Sequence, residues 1–393
     1  MKEIKVINKY IKLKDVCSIF AVTIIIMVFL NVVQAQDTTD NVNKILDFDK
    51  YISTIDGYVK SSDSTDILNI SDLASDLINS KGVSYNTIIS KILAIFFKEI
   101  AYSLKSVLTI YFVIILMAIV SNMQVEEKSS ISEIVYFAFY IVIATVAIKN
   151  FIDILAVFKN TVSVITNVLK VVAPFLLTIL IATGAAATTG IVQPLLLFLA
   201  TFINSIIQYL VVPFMSIAVA LNIVDSLTDK IKLNRLSKLF SKGAIWIVGV
   251  VLTVFLGILS LETNISSSVD SLAVKTTQAA VSDFVPVVGK FFSDSFETVV
   301  GATKIIGKVG GTIGIVAIIV ISLVPILKIL STMLAYMILS ALAEPICSDS
   351  RILKTLDMFA DVYKSLFGIL VGVAILFVIS TGIVLNLTSS IIK

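Results

Sequence analysis

From residue 104 onward the chain alternates long apolar runs with short charged segments, and that alternation predicts its elements. Residues 104–123 and 131–148 read as two membrane-crossing helices, and the short polar link 124–130 makes them a hairpin. Residues 149–170 are amphipathic, with Asp153, Lys159 and Lys170 marking the wet side. Residues 171–192 are apolar and rich in small side chains, and Pro174 and Pro194 bracket them. Small residues let helices approach closely or let a chain turn back inside the membrane, and both readings stand. Residues 195–221 form a long span in which Pro213 predicts a kink. Residues 225–242 form a basic amphipathic segment, with Arg235, Lys238 and Lys242 on one face; it suits anionic lipid at a cytoplasmic surface, or a docking partner. Residues 244–261 are the next span. Residues 312–345 are almost continuously apolar, too long for one straight crossing, and Pro325 and Lys328 interrupt them. They read as two short spans meeting at Lys328 or as one kinked helix. Residues 348–364 are polar and amphipathic, and 367–387 are the last span.

Residues 282–311 stand apart from this pattern. Lys290, Asp294, Glu297, Gly301, Lys304 and Lys308 follow one another at steps of four and three, which puts them on one stripe of a helix. Phe284, Val288, Phe291, Phe292, Val299 and Ile306 fall off the stripe. Asp283 can cap the start, Pro286 fits the first turn, and Gly310 and Gly311 supply a stop. A helix from 284 to 308 is about 37 Å long, enough to cross a bilayer. Lys290 and Asp294 can pair; Glu297, Lys304 and Lys308 need water or partners. The stripe therefore lines a conduit or forms an interface. Lys328 is a possible intramembrane charge or a lysine that snorkels to the boundary.

Ahead of the spans the composition changes. Residues 1–35 read as a signal peptide, with five lysines, an apolar core at 16–30 and cleavage after Ala35; an uncleaved anchor helix is the rival reading. The mature N-terminus is then extracytoplasmic. Residues 36–83 form an acidic extracytoplasmic segment whose apolar clusters predict one or two short helices resting on the membrane part or on a partner. Residues 84–105 are amphipathic and lead into the first span, so 84–393 make the membrane domain.

Composition narrows the function. The chain has 393 residues, 58% hydrophobic and 15% charged, with a mean hydropathy of +1.03. Soluble domains carry about 25% charged residues, so this is an integral membrane protein. It has no histidine, which removes histidine-based acid–base chemistry and metal ligation. Of its two cysteines, Cys17 lies in the signal and Cys347 has no sequence sign of activation. Asp47-Phe48-Asp49 is not followed by calcium ligands at the required offsets. No glycine–lysine phosphate loop is present, so energy has to come from a partner. These readings give no catalytic residues, no metal, no cofactor and no nucleic-acid partner; the lipid bilayer is the partner they do give.

The fold class is an all-α polytopic membrane protein with six to eight transmembrane helices and amphipathic or re-entrant elements. Six spans with 171–192 re-entering keep the basic segment cytoplasmic. Pro174 and Pro213 are separated by the same interval as Pro286 and Pro325, and each pair precedes a charged segment and a span. Duplicated halves of that kind are a transporter design.

The run from Ala273-Val274-Lys275 through Phe284-Val285-Pro286-Val287-Val288-Gly289, Ser293-Asp294, Val300-Gly301 and Gly310 to Pro325-Ile326-Leu327-Lys328 resembles the stage III sporulation protein AE family of endospore-forming bacteria. The signal and the acidic outer segment fit the same pattern. The resemblance implies a polytopic protein of the mother-cell membrane engulfing the forespore. It implies membership in a channel or secretion-like complex needed for late forespore development. Implied partners are other stage III sporulation A-type membrane proteins, an associated ATPase and a forespore membrane protein. The family offers no catalytic residues to transfer. A secondary transporter using Lys290, Asp294, Glu297 and Lys328 as midplane groups, and a scaffold without a pore, are the rival readings.

Overall fold

The computed structural model describes residues 47–62, 70–78, 85–122, 130–182, 186–227, 232–258, 288–347 and 349–390; for residues 75–78, 85–89, 122, 130–132, 186–188, 288–305 and 388–390 it describes the backbone alone. No strand occurs among the described residues. Two short helices come first, α1 (Phe48–Lys60) and α2 (Ile70–Ile78). Long helices follow: α3 (Tyr85–Asn122), α4 (Ser130–Ala182) and α5 (Ala186–Ile206). A π-helical turn, Ile207–Val211, joins α5 to α6 (Val212–Leu227). The remainder is α7 (Asn234–Ile258), α8 (Val288–Ala343) and α9 (Ser350–Ser390). Six stretches are long and apolar enough to cross a membrane: one each in α3, α4, α7, α8 and α9, and one running through α5 and α6. The protein is an all-α polytopic membrane protein, at the lower end of the expected span count.

Helix α8 is the centre, packed by α3, α4 and α9. Tyr140, Tyr336, Tyr363, Phe158, Phe359 and Phe377 are fully buried and fill the bundle. Lipid tails are as apolar as these rings, so close packing and hydrogen bonds, not the hydrophobic effect, hold such helices together. Side-chain pairs fix the register. Phe175 of α4 lies against Gly310 near one end of the contact with α8, and Asn150 bonds Tyr336 towards the other, so α4 and α8 are antiparallel. Leu385 against Gly311 and Asp357 bonded to Ser340 make α9 antiparallel to α8 as well. Helix α7 packs on α5 and α6, with Phe255 near Phe198 and Phe202, and Phe240 edge-on to Phe214.

Several boundaries differ from the sequence reading, each for a physical reason. Gly310 and Gly311 do not stop a helix; α8 runs through them for 56 residues. A glycine stop requires the chain to leave the helix, and an apolar surrounding gives the freed backbone groups no partner. For the same reason Pro325 and Lys328 do not divide 312–345 into two spans. Residues 171–192 are not one continuous element. They are the end of α4 and the start of α5, with 183–185 outside the described residues. The separate span 131–148 and amphipathic stretch 149–170 are one helix of 53 residues, and Asp153, Lys159 and Lys170 lie on its exposed side. The irregularity expected at Pro213 is the π-helical turn immediately before it. The basic segment divides: Asp225 belongs to α6, and α7 begins at Asn234. Signal residues 1–35, Ala35 included, and Asp283 and Pro286 lie outside the described residues.

Candidate functional site

Three polar or close-packed places stand along α8. The first is its head. The helix that the charged stripe requires does run through Lys290, Asp294, Glu297, Gly301, Lys304 and Lys308. The side chains of the first five lie outside the described residues; that of Lys308 is half-buried, while Ile306 and Val309 beside it are buried. One turn on, glycines recur at 307, 310, 311 and 314. A Cβ on Gly310 would run into the Phe175 ring, and one on Gly314 would stand 2.7 Å from Val172. The missing side chains thus form a seat into which α4 presses.

Helix α1 closes this seat. Tyr51 stacks on Phe175 at 4.0 Å between ring centroids, and its hydroxyl donates to the Gly310 carbonyl at 2.7 Å. Burial pushes the Tyr51 phenol far above its ordinary value, so it stays a neutral donor. Phe48, Ile52, Ile55 and Val59 complete the buried face of α1. The sequence reading missed this contact, although the signal was there: 307/311 and 310/314 are pairs of small residues four apart, the spacing of close helix packing.

The second place is a polar layer across the bundle. Ser106 of α3 donates to Asn150 of α4 at 2.9 Å, and the Asn150 amide donates to the Tyr336 hydroxyl of α8 at 3.2 Å. Ser103 and Thr332 share a hydrogen bond at 3.3 Å. Tyr363 of α9 packs its ring on Tyr336. Lys328 lies one turn before Thr332, half-buried, and its carbonyl accepts from the Thr332 hydroxyl. Polar groups inside a bundle need partners, and in this layer Ser103, Ser106, Asn150, Thr332 and Tyr336 supply them to one another.

The third place is the opposite end. Thr355 donates to the Ser226 hydroxyl at 2.9 Å, Tyr136 donates to the Ser226 carbonyl, and Tyr140 donates to the Ile223 carbonyl. The Arg351 guanidinium lies 3.6 Å above the Tyr136 ring and pairs with Asp349. Asp225 accepts from the backbone N–H groups of Leu233 and Asn234, which caps α7. Cys347 is buried nearby, and burial pushes its thiol up. Pro174 sits in α4 beside Phe175, Pro213 just past the π turn, and Pro325 inside α8, so none of the three described breakers ends a helix.

Among the described residues no group of three His, Cys, Asp or Glu side chains could hold a metal ion. The arrangement does two things well. It ties α1, α3, α4, α6, α8 and α9 together through hydrogen bonds, and it carries the charged stripe on the first part of α8.

A family model described as stage III sporulation protein AE matches residues 68–388. The stage III sporulation protein AE of Bacillus subtilis (strain 168) is 25% identical over 260 residues, 66% of this chain and 65% of that protein. The matched region thus spans just under two thirds of the relative's length. No solved structure matches.

Proposed function

The chain belongs to the stage III sporulation protein AE family, and from that premise we propose that it is a non-enzymatic membrane subunit of a sporulation channel or secretion-like complex. In this reading the complex joins mother cell and forespore and serves late forespore development. The chain resides in the mother-cell membrane around the forespore, with its mature N-terminus outside the cytoplasm. Its partners are sister stage III sporulation A-type proteins, an associated ATPase and a forespore membrane protein.

One observation favours a subunit over a stand-alone transporter: α8 is continuous from the charged stripe to Ala343, and large aromatic rings fill the bundle around it. Carriers of the inverted-repeat kind bind substrate at broken helices near the midplane. Here the stripe occupies the first part of α8 up to Lys308, and a conduit between subunits is the reading that leaves the ring-filled bundle closed. Orientation has independent support. Arg235, Lys238 and Lys242 lie at the start of α7, at the opposite end of the bundle from α1 and α2, as a cytoplasmic basic edge requires.

The test is a tagged chain expressed in sporulating cells in place of the native one, then solubilised in mild detergent. The sister subunits and the ATPase are expected to co-purify. The double variant Asp294→Asn, Glu297→Gln is expected to weaken that recovery and to block spore formation. A variant that assembles fully yet blocks spore formation would favour a transporter instead. A variant that does neither would remove the stripe from the function.

A further inference from the structure

Between α4 and the π-helical turn lies a surface groove of about 480 Å³. We propose that it holds the phosphate-bearing headgroup of an anionic phospholipid. This rests on the membrane fold alone and not on the sporulation reading.

Lys159, Asn160 and Ser163 line one wall, Gln208 faces them from the π turn, and Ile152 and Val212 supply apolar surface. A π turn inserts an extra residue into a helix and re-aims its side chains, and such turns recur at functional sites. Here the turn sets Gln208 against α4, where its amide donates to the Lys159 carbonyl at 3.3 Å. That contact ties the walls together and leaves the Lys159 ammonium exposed. No ion pair to Lys159 forms among the described residues, and residues 186–224 of the facing helices carry no charged side chain. The cation is therefore locally uncompensated. Hydrogen-bonding capacity is also unspent along the same seam. One turn from Ser163 the Thr166 hydroxyl, and one turn from Gln208 the Asn204 carbonyl oxygen, are buried without a hydrogen bond.

Depth selects the ligand. In α8 the residues between Lys308 and Lys328 carry no charge and span about 28 Å, close to a hydrocarbon core. The antiparallel register of α4 and α8 brings Lys159 to the height of Lys328, at the edge of that core. With the hydrocarbon core on that uncharged stretch of α8, headgroup phosphate would lie at this height. A mostly apolar groove with one ammonium, two amides and a hydroxyl fits an amphiphile better than a free anion. Basic pockets between membrane helices hold anionic headgroups in this way.

The experiment uses the full chain in nanodiscs of phosphatidylcholine, titrated with phosphatidylglycerol and read by native mass spectrometry and thermal unfolding. Retention of about one phosphatidylglycerol and a raised Tm are expected. Lys159→Gln is expected to weaken retention about fivefold to tenfold, and Lys159→Arg to keep it. Lys149→Gln removes an exposed lysine of α4 outside the groove and is expected to leave retention unchanged. Equal losses in Lys149→Gln and Lys159→Gln would mean general surface attraction and overturn the site. So would equal retention of phosphatidylcholine. Equal stabilisation by inorganic phosphate alone would make it a free-anion site and overturn the lipid assignment.

Discussion

Gly310 carries two roles that no other residue type can combine. Its carbonyl receives the Tyr51 hydroxyl, and its missing side chain admits the Phe175 ring. Gly310→Ala gains about 1 kcal/mol of helix propensity but forces Phe175 out of its stack, at a cost of about 1–3 kcal/mol. Faster hydrogen exchange throughout α1 is the expected result. Gly249→Ala, with nothing within 4 Å of the added Cβ, is the matched control and leaves α1 protected. Asn150 is the comparable residue of the polar layer. Asn150→Ala strands the Ser106 and Tyr336 hydroxyls and costs about 1–3 kcal/mol. Combined with Tyr336→Phe the losses are expected to fall short of their sum in unfolding measurements, because both variants remove the same bond. Cys347 makes a prediction about pH. The thiolate is the reactive form, and burial disfavours it. Maleimide labelling is therefore expected to be slower at pH 8 than for an exposed thiol and to accelerate only as pH rises beyond the ordinary thiol range. In the same window the fold loses the stability of the buried neutral thiol, because the unfolded chain ionises first.

At the scale of elements, the lesson is continuity. Gly310, Gly311, Pro174 and Pro325 are strong punctuation in a soluble helix, yet α4 and α8 pass through all of them. Water would satisfy a broken helix end; hydrocarbon cannot, so the helix persists and neighbours absorb the defect. The π turn Ile207–Val211 is where the same strain is released in the α5–α6 pair, next to Pro213. True ends occur where a side chain supplies the missing partner. Asp225 does so for α7 from the preceding helix. Asp225→Ala is expected to cost about 1 kcal/mol and to raise hydrogen exchange at Leu233 and Asn234 while α8 and α9 stay protected.

At the scale of the molecule, the spacing of the charged stripe and the packed bundle make one joint prediction. Cysteines placed one at a time from 290 to 308, in a Cys347→Ser background, are expected to react with an impermeant thiol reagent at the stripe positions and not between them. Uniform labelling would make the segment an exposed loop, and absence of labelling would bury it against protein or turn it to the cytoplasm. The bundle itself needs no path through its centre for a subunit function, because Tyr336, Tyr363 and Phe359 occupy that space.

The sequence by itself determined the solvent, the element type and the family. A mean hydropathy of +1.03 with 15% charge demands a membrane, and the apolar runs demand helices, since no other open structure satisfies its backbone there. The wet sides of α4 and α9 and the helical spacing of the stripe were also legible, because a periodicity of 3.6 is local. Tertiary structure alone decided where helices end, because an end depends on a partner such as Asp225 that is remote in space from the segment's own pattern. It alone decided that α1 seats on Gly310, a contact between residues 259 apart in sequence. The groove at Lys159 and Gln208 was hidden for the same reason: each residue reads as ordinary on its own helix, and only the antiparallel register brings them face to face.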